Sequence, residues 1–279
     1  MRKLLKQLVR RSWRLVVPKR TRNSLRLWLM LEMPDLAPTL IGDFAQGPVV
    51  VLAPHMDDEI IGPGGVVALH VRAGSAVTFV FMTDGKAGDH SAPPPRPSPE
   101  QVGQIRRAES EAAAQIVGVK DLVFLDGPDG KLNETPVMVD ALANLLRQRG
   151  PKIVYAPALT DRHIDHWATN RILRLALDRL GPGQLDRTII RGYEIWAPLP
   201  ANRMADITSV ADLKKNAIAA FASQTRYVDY SWTATGLNQY RSMVHMHGRG
   251  YAEGFLETNV AEFKELFERI SLGKAAPQG

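Results

Sequence analysis

Short apolar clusters recur along the chain from about residue 45, each bounded by turn residues. GPVVVLAP (47–54), AVTFVFMT (76–83), DLVFLDG (121–127) and KIVYAPA (152–158) are rich in Val, Ile or Phe, which predicts short buried strands. The stretches between them, about 60–73, 99–117, 135–149 and 165–180, read as helices. RTIIRGYEIWAPL (187–199) and RMADITSV (203–210) predict further strands, followed by helices near 211–222 and 259–272. Strand and helix in alternation imply parallel strands with right-handed crossovers. The predicted fold class is therefore α/β, a Rossmann-like three-layer sandwich with a mostly parallel central sheet. The Pro-rich DHSAPPPRPSPE (89–100) reads as a surface loop flanking a site mouth, or equally as a simple linker.

Composition narrows the chemistry. With 279 residues, 45% of them hydrophobic, the chain has enough apolar mass for one α/β domain, assigned to residues 45–279. There is no cysteine, so disulfides, iron–sulfur clusters and thiolate zinc sites are excluded and any metal must be held by His, Asp and Glu.

Charge is unevenly placed. Residues 1–31 carry ten basic side chains and no acid before Glu32, so a chain of net charge +6 has a mildly acidic body. This basic N-terminal extension, 1–44, interleaves its cations with Leu, Val and Trp. That is the composition of a helix lying on an anionic membrane surface, and also of an ordinary basic surface helix. A nucleic-acid arm has no second basic patch to support it, so no nucleic-acid partner is expected. No apolar run approaches the roughly 20 residues of a membrane span, and arginines interrupt every stretch that could serve as a secretory signal. The expected location is cytoplasmic, with contact at the inner membrane face.

Three polar clusters fall on one predicted rim. VLAPHMDDEIIGPGG (51–65) runs from a strand directly into His55, Asp57, Asp58 and Glu59; TDG (83–85) and DRHIDH (161–166) follow two other strands. Ligands gather at the carboxyl ends of strands in open parallel sheets. GPGG matches neither phosphate-loop pattern, and the preceding carboxylates would repel a phosphate. Metal binding suits these residues better: His55 and Asp58 can reach one ion from a tight turn, and His163 and His166, at i and i+3, share a helix face.

PHMDDE, TDGKAG, RRAESEAAAQIVGV and DRHIDH, in that order, resemble the PIG-L/LmbE-type zinc-dependent de-N-acetylases, whose signature is AHPDDE with a downstream HPDH. The similarity covers about residues 48–180. It implies an LmbE-like fold, with His55, Asp58 and His166 as ligands of one Zn2+ per chain, Fe2+ or Co2+ suiting the same donors. It makes Asp57 the general base toward a water that zinc acidifies to a pKa of about 7. His163, as imidazolium, then stabilises the oxyanion, with Asp165 orienting it and raising its pKa. Met56 and Ile164 stand where the family usually has proline, and Asp161 where some relatives have an oxyanion-assisting tyrosine.

The implied activity is removal of the N-acetyl group from an N-acetylglucosamine-type amino sugar in a glycoconjugate, and the basic tail favours a lipid-linked saccharide. A metal-dependent amidase for another amide, such as a thiol conjugate or acylated glycopeptide, and a non-catalytic carbohydrate-binding relic are the alternatives. A homo-oligomer is compatible with the sequence.

Other residues have plainer readings. Glu59 is expected to be structural, and Arg106, Arg107 and Glu109 to lie on a solvated helix face or in a local ion pair. Asp84 and Gly85 shape a pocket or simply a turn. His245 and His247 suggest a second metal site only weakly. Tyr193, Trp196, Tyr227, Tyr230 and Trp232 serve core packing or sugar stacking.

Overall fold

Strand β2 (Val49–Ala53) is buried along its whole length, and its side chains alternate between two cores. Val49, Val51 and Ala53 face one core, Val50 and Leu52 the other, so the sheet is covered on both faces and its strands are apolar throughout. This arrangement comes from a computed structural model that describes residues 37–45, 47–87, 96–181 and 183–274. The helix read over residues 1–31 and most of the Pro-rich loop lie outside the described residues.

Among the described residues the sheet has eight strands in the order β1-β7-β8-β6-β5-β2-β3-β4. These are β1 (Thr39–Leu40), β2, β3 (Val77–Thr83), β4 (Asp121–Gly127), β5 (Ile153–Pro157), β6 (Ile189–Tyr193), β7 (Arg203–Asp206) and β8 (Ala252–Asn259). The sheet thus begins at Thr39, where β1 pairs with β7. β2 lies between β3 and β5, parallel to both, with Val49 opposite Val77 on one side and Ile153 on the other. The strand order reverses at β2, so a crevice opens between the carboxyl ends of β2 and β5.

Helices α1 (Asp58–Ile61), α2 (Gly64–Arg72), α3 (Pro99–Val117), α6 (Ala211–Ala219) and α8 (Tyr230–Arg241) lie on one side of the sheet. On the other side lie α4 (Pro136–Arg149), α5 (Ile164–Leu180) and α10 (Val260–Lys274). Short α7 (Ala222–Thr225) and α9 (Met243–Met246) flank α8. α3 starts in a capping box between Ser98 and Gln101, with Pro99 at its first position. No helix among the described residues is long and apolar enough to cross a membrane.

The structure departs from the sequence reading at several places, beginning with β1, which lies within the expected extension 1–44. The helix expected over 60–73 is broken into α1 and α2 at Gly62–Pro63, because Pro63 offers no N–H to continue the ladder; Gly62 lets the chain pass against the Tyr193 ring, where a Cβ would collide. The helix expected over 211–222 ends at Ala219, and α8 follows unforeseen. β8 was also not predicted. It is antiparallel to both β6 and β7, and AEGFLETN lacks the unbroken apolar run that marks the parallel strands.

Candidate active site

The chain leaves β2 through Pro54 and folds at once into a tight turn. Asp57 has φ 149°, a conformation that side-chain-bearing residues rarely adopt. Three contacts hold it there. The Asp57 N–H donates to Glu59 Oε2 at 2.9 Å, the His55 N–H donates to Asp58 Oδ2 at 2.9 Å, and the Ile60 N–H donates to the Asp57 carbonyl at 3.0 Å. Glu59 is fully buried beneath the turn, the structural role expected of it. Met56 is also buried, and its Sδ-methyl fills the space beside Gly85, where any Cβ would overlap it. Gly85 has φ +67°, so TDG supplies both the turn and the room.

The turn brings Asp58 between His55, on the same turn, and His166, on α5. Asp58 Oδ2 lies 3.2 Å from His55 Nδ1 and 3.3 Å from His166 Nε2. The far nitrogen of each ring faces another carboxylate: His55 Nε2 is 3.0 Å from Asp165 Oδ2, and His166 Nδ1 is 3.1 Å from Asp161 Oδ2. His166 is wholly buried, yet neither of its ring nitrogens makes a well-formed hydrogen bond. A buried imidazole backed by one carboxylate and facing a second, with a well-formed hydrogen bond to neither, is the arrangement of a metal-ligating histidine. His163 is close by, its ring 4.7 Å from that of His55 and 4.9 Å from that of His166.

Among the described residues two sets of potential ligand atoms lie within 4.8 Å of one another, His55, His163 and His166, and His55, Asp129 and Asp165, and Asp58 is in neither. The second is a poorer cation site. Asp165 already accepts the N–H groups of Gly130 at 2.7 Å and Leu132 at 2.9 Å, and the Arg106 guanidinium lies 3.4 Å from Asp129. Both sets share His55. His245 belongs to neither and instead contacts the Pro38 carbonyl.

The electrostatics follow from the crowding of acids. Burial opposes charge on His166, but Asp58 and Asp161 raise its pKa to about 9. Burial likewise opposes charge on His55, and Asp129, Asp165 and Asp58 outweigh it, raising that pKa well above 6.5. Histidines made so basic mark a pocket whose field welcomes positive charge, whether proton or metal cation. Burial would also raise Asp58, yet His166 and His55 hold it below the carboxylate range. Asp57 differs: burial, only partly opposed by Arg106, pushes its carboxyl up to about 7.

Two expectations for DRHIDH are corrected. Asp165 does not direct its carboxylate to His163; it spends it on His55 and two backbone amides. Its backbone N–H instead donates to His163 Nδ1 at 3.2 Å, with His163 capping α5. His163 is also not raised toward imidazolium, because burial and the neighbouring charges of His55 and His166 lower its pKa. With Nδ1 accepting, the neutral ring carries its proton on Nε2.

Arg106 and Glu109 are not on a solvated face either. Arg106 is buried and donates to the Met56 carbonyl at 3.1 Å and to Asp57 Oδ2 at 3.5 Å. Glu109 accepts the N–H and hydroxyl of Ser223, each at 2.7 Å, tying α3 to α7. Arg107 is the surface residue of the group, paired with Asp126.

Asp129, missed by sequence reasoning, lies 3.4 Å from His55 Nε2; an acid two residues beyond the end of β4, on the same rim as the other clusters, was the available signal. Tyr193 is core, its hydroxyl donating to the Leu52 carbonyl. Trp196 and Tyr230 instead wall a cavity of about 120 Å³ whose other side is His55, Asp57, Asp58 and His163.

Comparison with known proteins gives a consistent picture. Residues 50–177 match the PIG-L family, described as GlcNAc-PI de-N-acetylase. A probable N-acetyl-alpha-D-glucosaminyl L-malate deacetylase 2 of Bacillus cereus is 28% identical, over 63% of this chain and 83% of its own. The N,N'-diacetylchitobiose deacetylase of Pyrococcus horikoshii superposes with a TM-score of 0.66 at 26% identity, over 77% of this chain and 85% of its own. The 4-carboxy-2-hydroxymuconate hydratase of Pseudomonas putida also superposes with a TM-score of 0.66, at 25% identity, over 76% of this chain and 96% of its own.

Proposed function

We propose, from the match of residues 50–177 to the PIG-L family and the likeness to N-acetylglucosaminyl deacetylases, that the chain is a metal-dependent de-N-acetylase that hydrolyses the acetamide of an N-acetylglucosamine-type amino sugar to acetate and the free amine. The observation that carries the reading is the meeting of Asp58 Oδ2 with His55 Nδ1 and His166 Nε2, each ring backed by a carboxylate.

In this reading His55, Asp58 and His166 hold the metal, and a His2Asp donor set suits zinc. Held by these three residues, such an ion would supply Lewis-acid chemistry, polarisation of the amide carbonyl and acidification of water toward neutrality. Asp57 takes the proton of the attacking water and passes it to the leaving nitrogen; a pKa near the working pH suits both transfers. Arg106 restrains that carboxylate from the far side. His163, which lines the cavity and carries its proton on Nε2, donates to the carbonyl oxygen as it becomes an oxyanion, a part that needs a hydrogen-bond donor and not a full charge. Asp165 fixes two imidazoles, His55 through its carboxylate and His163 through its backbone N–H.

The basic residues among 1–31 favour a glycoconjugate or lipid-linked saccharide met at an anionic membrane surface. Acetate release from a panel of N-acetylated sugars, with metal content measured alongside, tests the whole reading. Metal-loaded protein that releases no acetate from any of them, or that instead adds water to a carbon–carbon double bond as the related hydratase's name denotes, would sink it.

A further inference from the structure

Beside the cavity that holds the catalytic groups lies a second one, of about 200 Å³. The two share Ile61, Ile195, Trp196 and Tyr230, so they are compartments of one cleft. The Trp196 and Tyr230 rings meet edge to face, 6.3 Å apart, at the junction. The backbone N–H of Trp196 donates to Asp161 Oδ2, the oxygen that faces His166, so the position of the junction is set by the same carboxylate that backs a proposed metal ligand.

The second compartment offers little to a sugar hydroxyl. Its remaining apolar lining comes from Val228, Ala234 and Leu237, and its polar side chains other than the shared Trp196 and Tyr230 are engaged within the protein. Glu194 pairs with Arg241 and accepts the Leu199 N–H at 2.8 Å. Glu253 accepts Lys214 Nζ at 2.7 Å and the N–H groups of Gly65 and Val66. Asn238 donates to the Ala252 carbonyl, and Thr233 to that of Asp229. Both carboxylates are thus neutralised by partners, and a cavity of such apolar lining favours an apolar occupant; about 150 Å³ is enough for a benzene ring.

We propose that this compartment is a substrate subsite for an apolar substituent, a ring or short alkyl chain attached to the amino sugar whose amide sits at the metal cradle. The inference rests on the deacetylase reading and deepens it. Such a substituent arrives by one of two routes, as the aglycone at the anomeric carbon or as an acyl chain longer than acetyl on the nitrogen, and the two have the same chemistry in the pocket.

The test uses the full-length, metal-loaded protein with two substrate series: the methyl, phenyl and hexyl β-glycosides of N-acetylglucosamine, and the N-acetyl, N-butanoyl and N-hexanoyl glucosamines. In one series kcat/KM is expected to rise at least about tenfold from the smallest member to the largest, mainly through KM. Ala234→Phe, which fills the compartment, is expected to abolish that rise, and Thr233→Trp provides the same obstruction from the solvent side should Ala234→Phe fail to fold. Which series responds identifies the route. A flat response in both series, or a rise that survives an obstructing variant that folds, overturns the subsite.

Binding separates this inference from the activity itself. Calorimetry of phenyl against methyl β-glucosaminide, and of N-hexanoyl- against N-acetylglucosamine, is expected to show at least about tenfold tighter binding of the larger member in one of the two pairs in the parent protein, and equal binding in the variant. If no sugar is deacetylated, the proposed function fails while calorimetry still decides the subsite.

Discussion

Nε2 of His55 lies 3.0 Å from Asp165 Oδ2, while Nδ1 of the same ring points to Asp58 Oδ2. The carboxylate therefore fixes the proton on Nε2 and leaves Nδ1 with a lone pair for a metal. Asp165→Asn keeps the shape of the side chain and removes its charge. Zinc affinity, measured by competition with a chromogenic chelator, is expected to fall about 10- to 100-fold. Unchanged affinity would show that Asp165 serves only the Gly130 and Leu132 amides.

Asp57→Asn should separate binding from chemistry. The variant is expected to keep its metal stoichiometry, because Asp57 is not among the three proposed ligands, and to lose at least about a hundredfold in kcat. Acetate release and metal analysis on the same preparation check both halves. A variant retaining most of its kcat would remove Asp57 from the mechanism.

The acid limb of the pH–rate profile follows from the same carboxylate. A general base must be ionised, and burial raises Asp57 to about 7. A cation bound nearby stabilises the anion, so kcat/KM is expected to fall as pH drops through a midpoint at or below about 7. Activity that increases steadily toward pH 5 would contradict the assignment.

His70 gives a stability prediction remote from the metal cradle. It is buried between the Phe44 carbonyl and the Tyr155 hydroxyl, and burial lowers its pKa from 6.5 to about 4. Between those values the unfolded chain binds the extra proton, so stability rises with pH. The contribution is complete above about 6.5 and is lost as pH falls toward 4, in all about 3 kcal/mol. Urea unfolding at pH 7 and pH 4.5 should show a smaller difference for His70→Gln than for the parent protein.

The sequence made the parallel half of the fold legible because strands buried on both faces must be apolar throughout, as β2, β3 and β5 are. β8 escaped because its eight residues are graded from buried to exposed along their length. In the site, the residues that carry the chemistry stand next to one another in two short motifs and could be named. Their supports could not. Arg106 lies 50 residues from the carbonyl it holds, and nothing in a helical pattern tells a buried guanidinium from a solvated one. The carboxylate of Asp165 follows the same rule: its target, His55, is 110 residues away, while the adjacent His163 receives only its backbone N–H.

Met56 occupies a position where a proline would restrict the backbone before folding begins. Here the restriction comes from the thioether wedged beside Gly85, a contact that exists only once the β3 loop has docked against the turn. A proline narrows the unfolded ensemble as well as the native one; a wedged methionine confines only the native one. The order of the metal cradle is therefore tied to cooperative folding of two separate loops, and enlarging residue 85 would loosen the cradle without touching a single ligand.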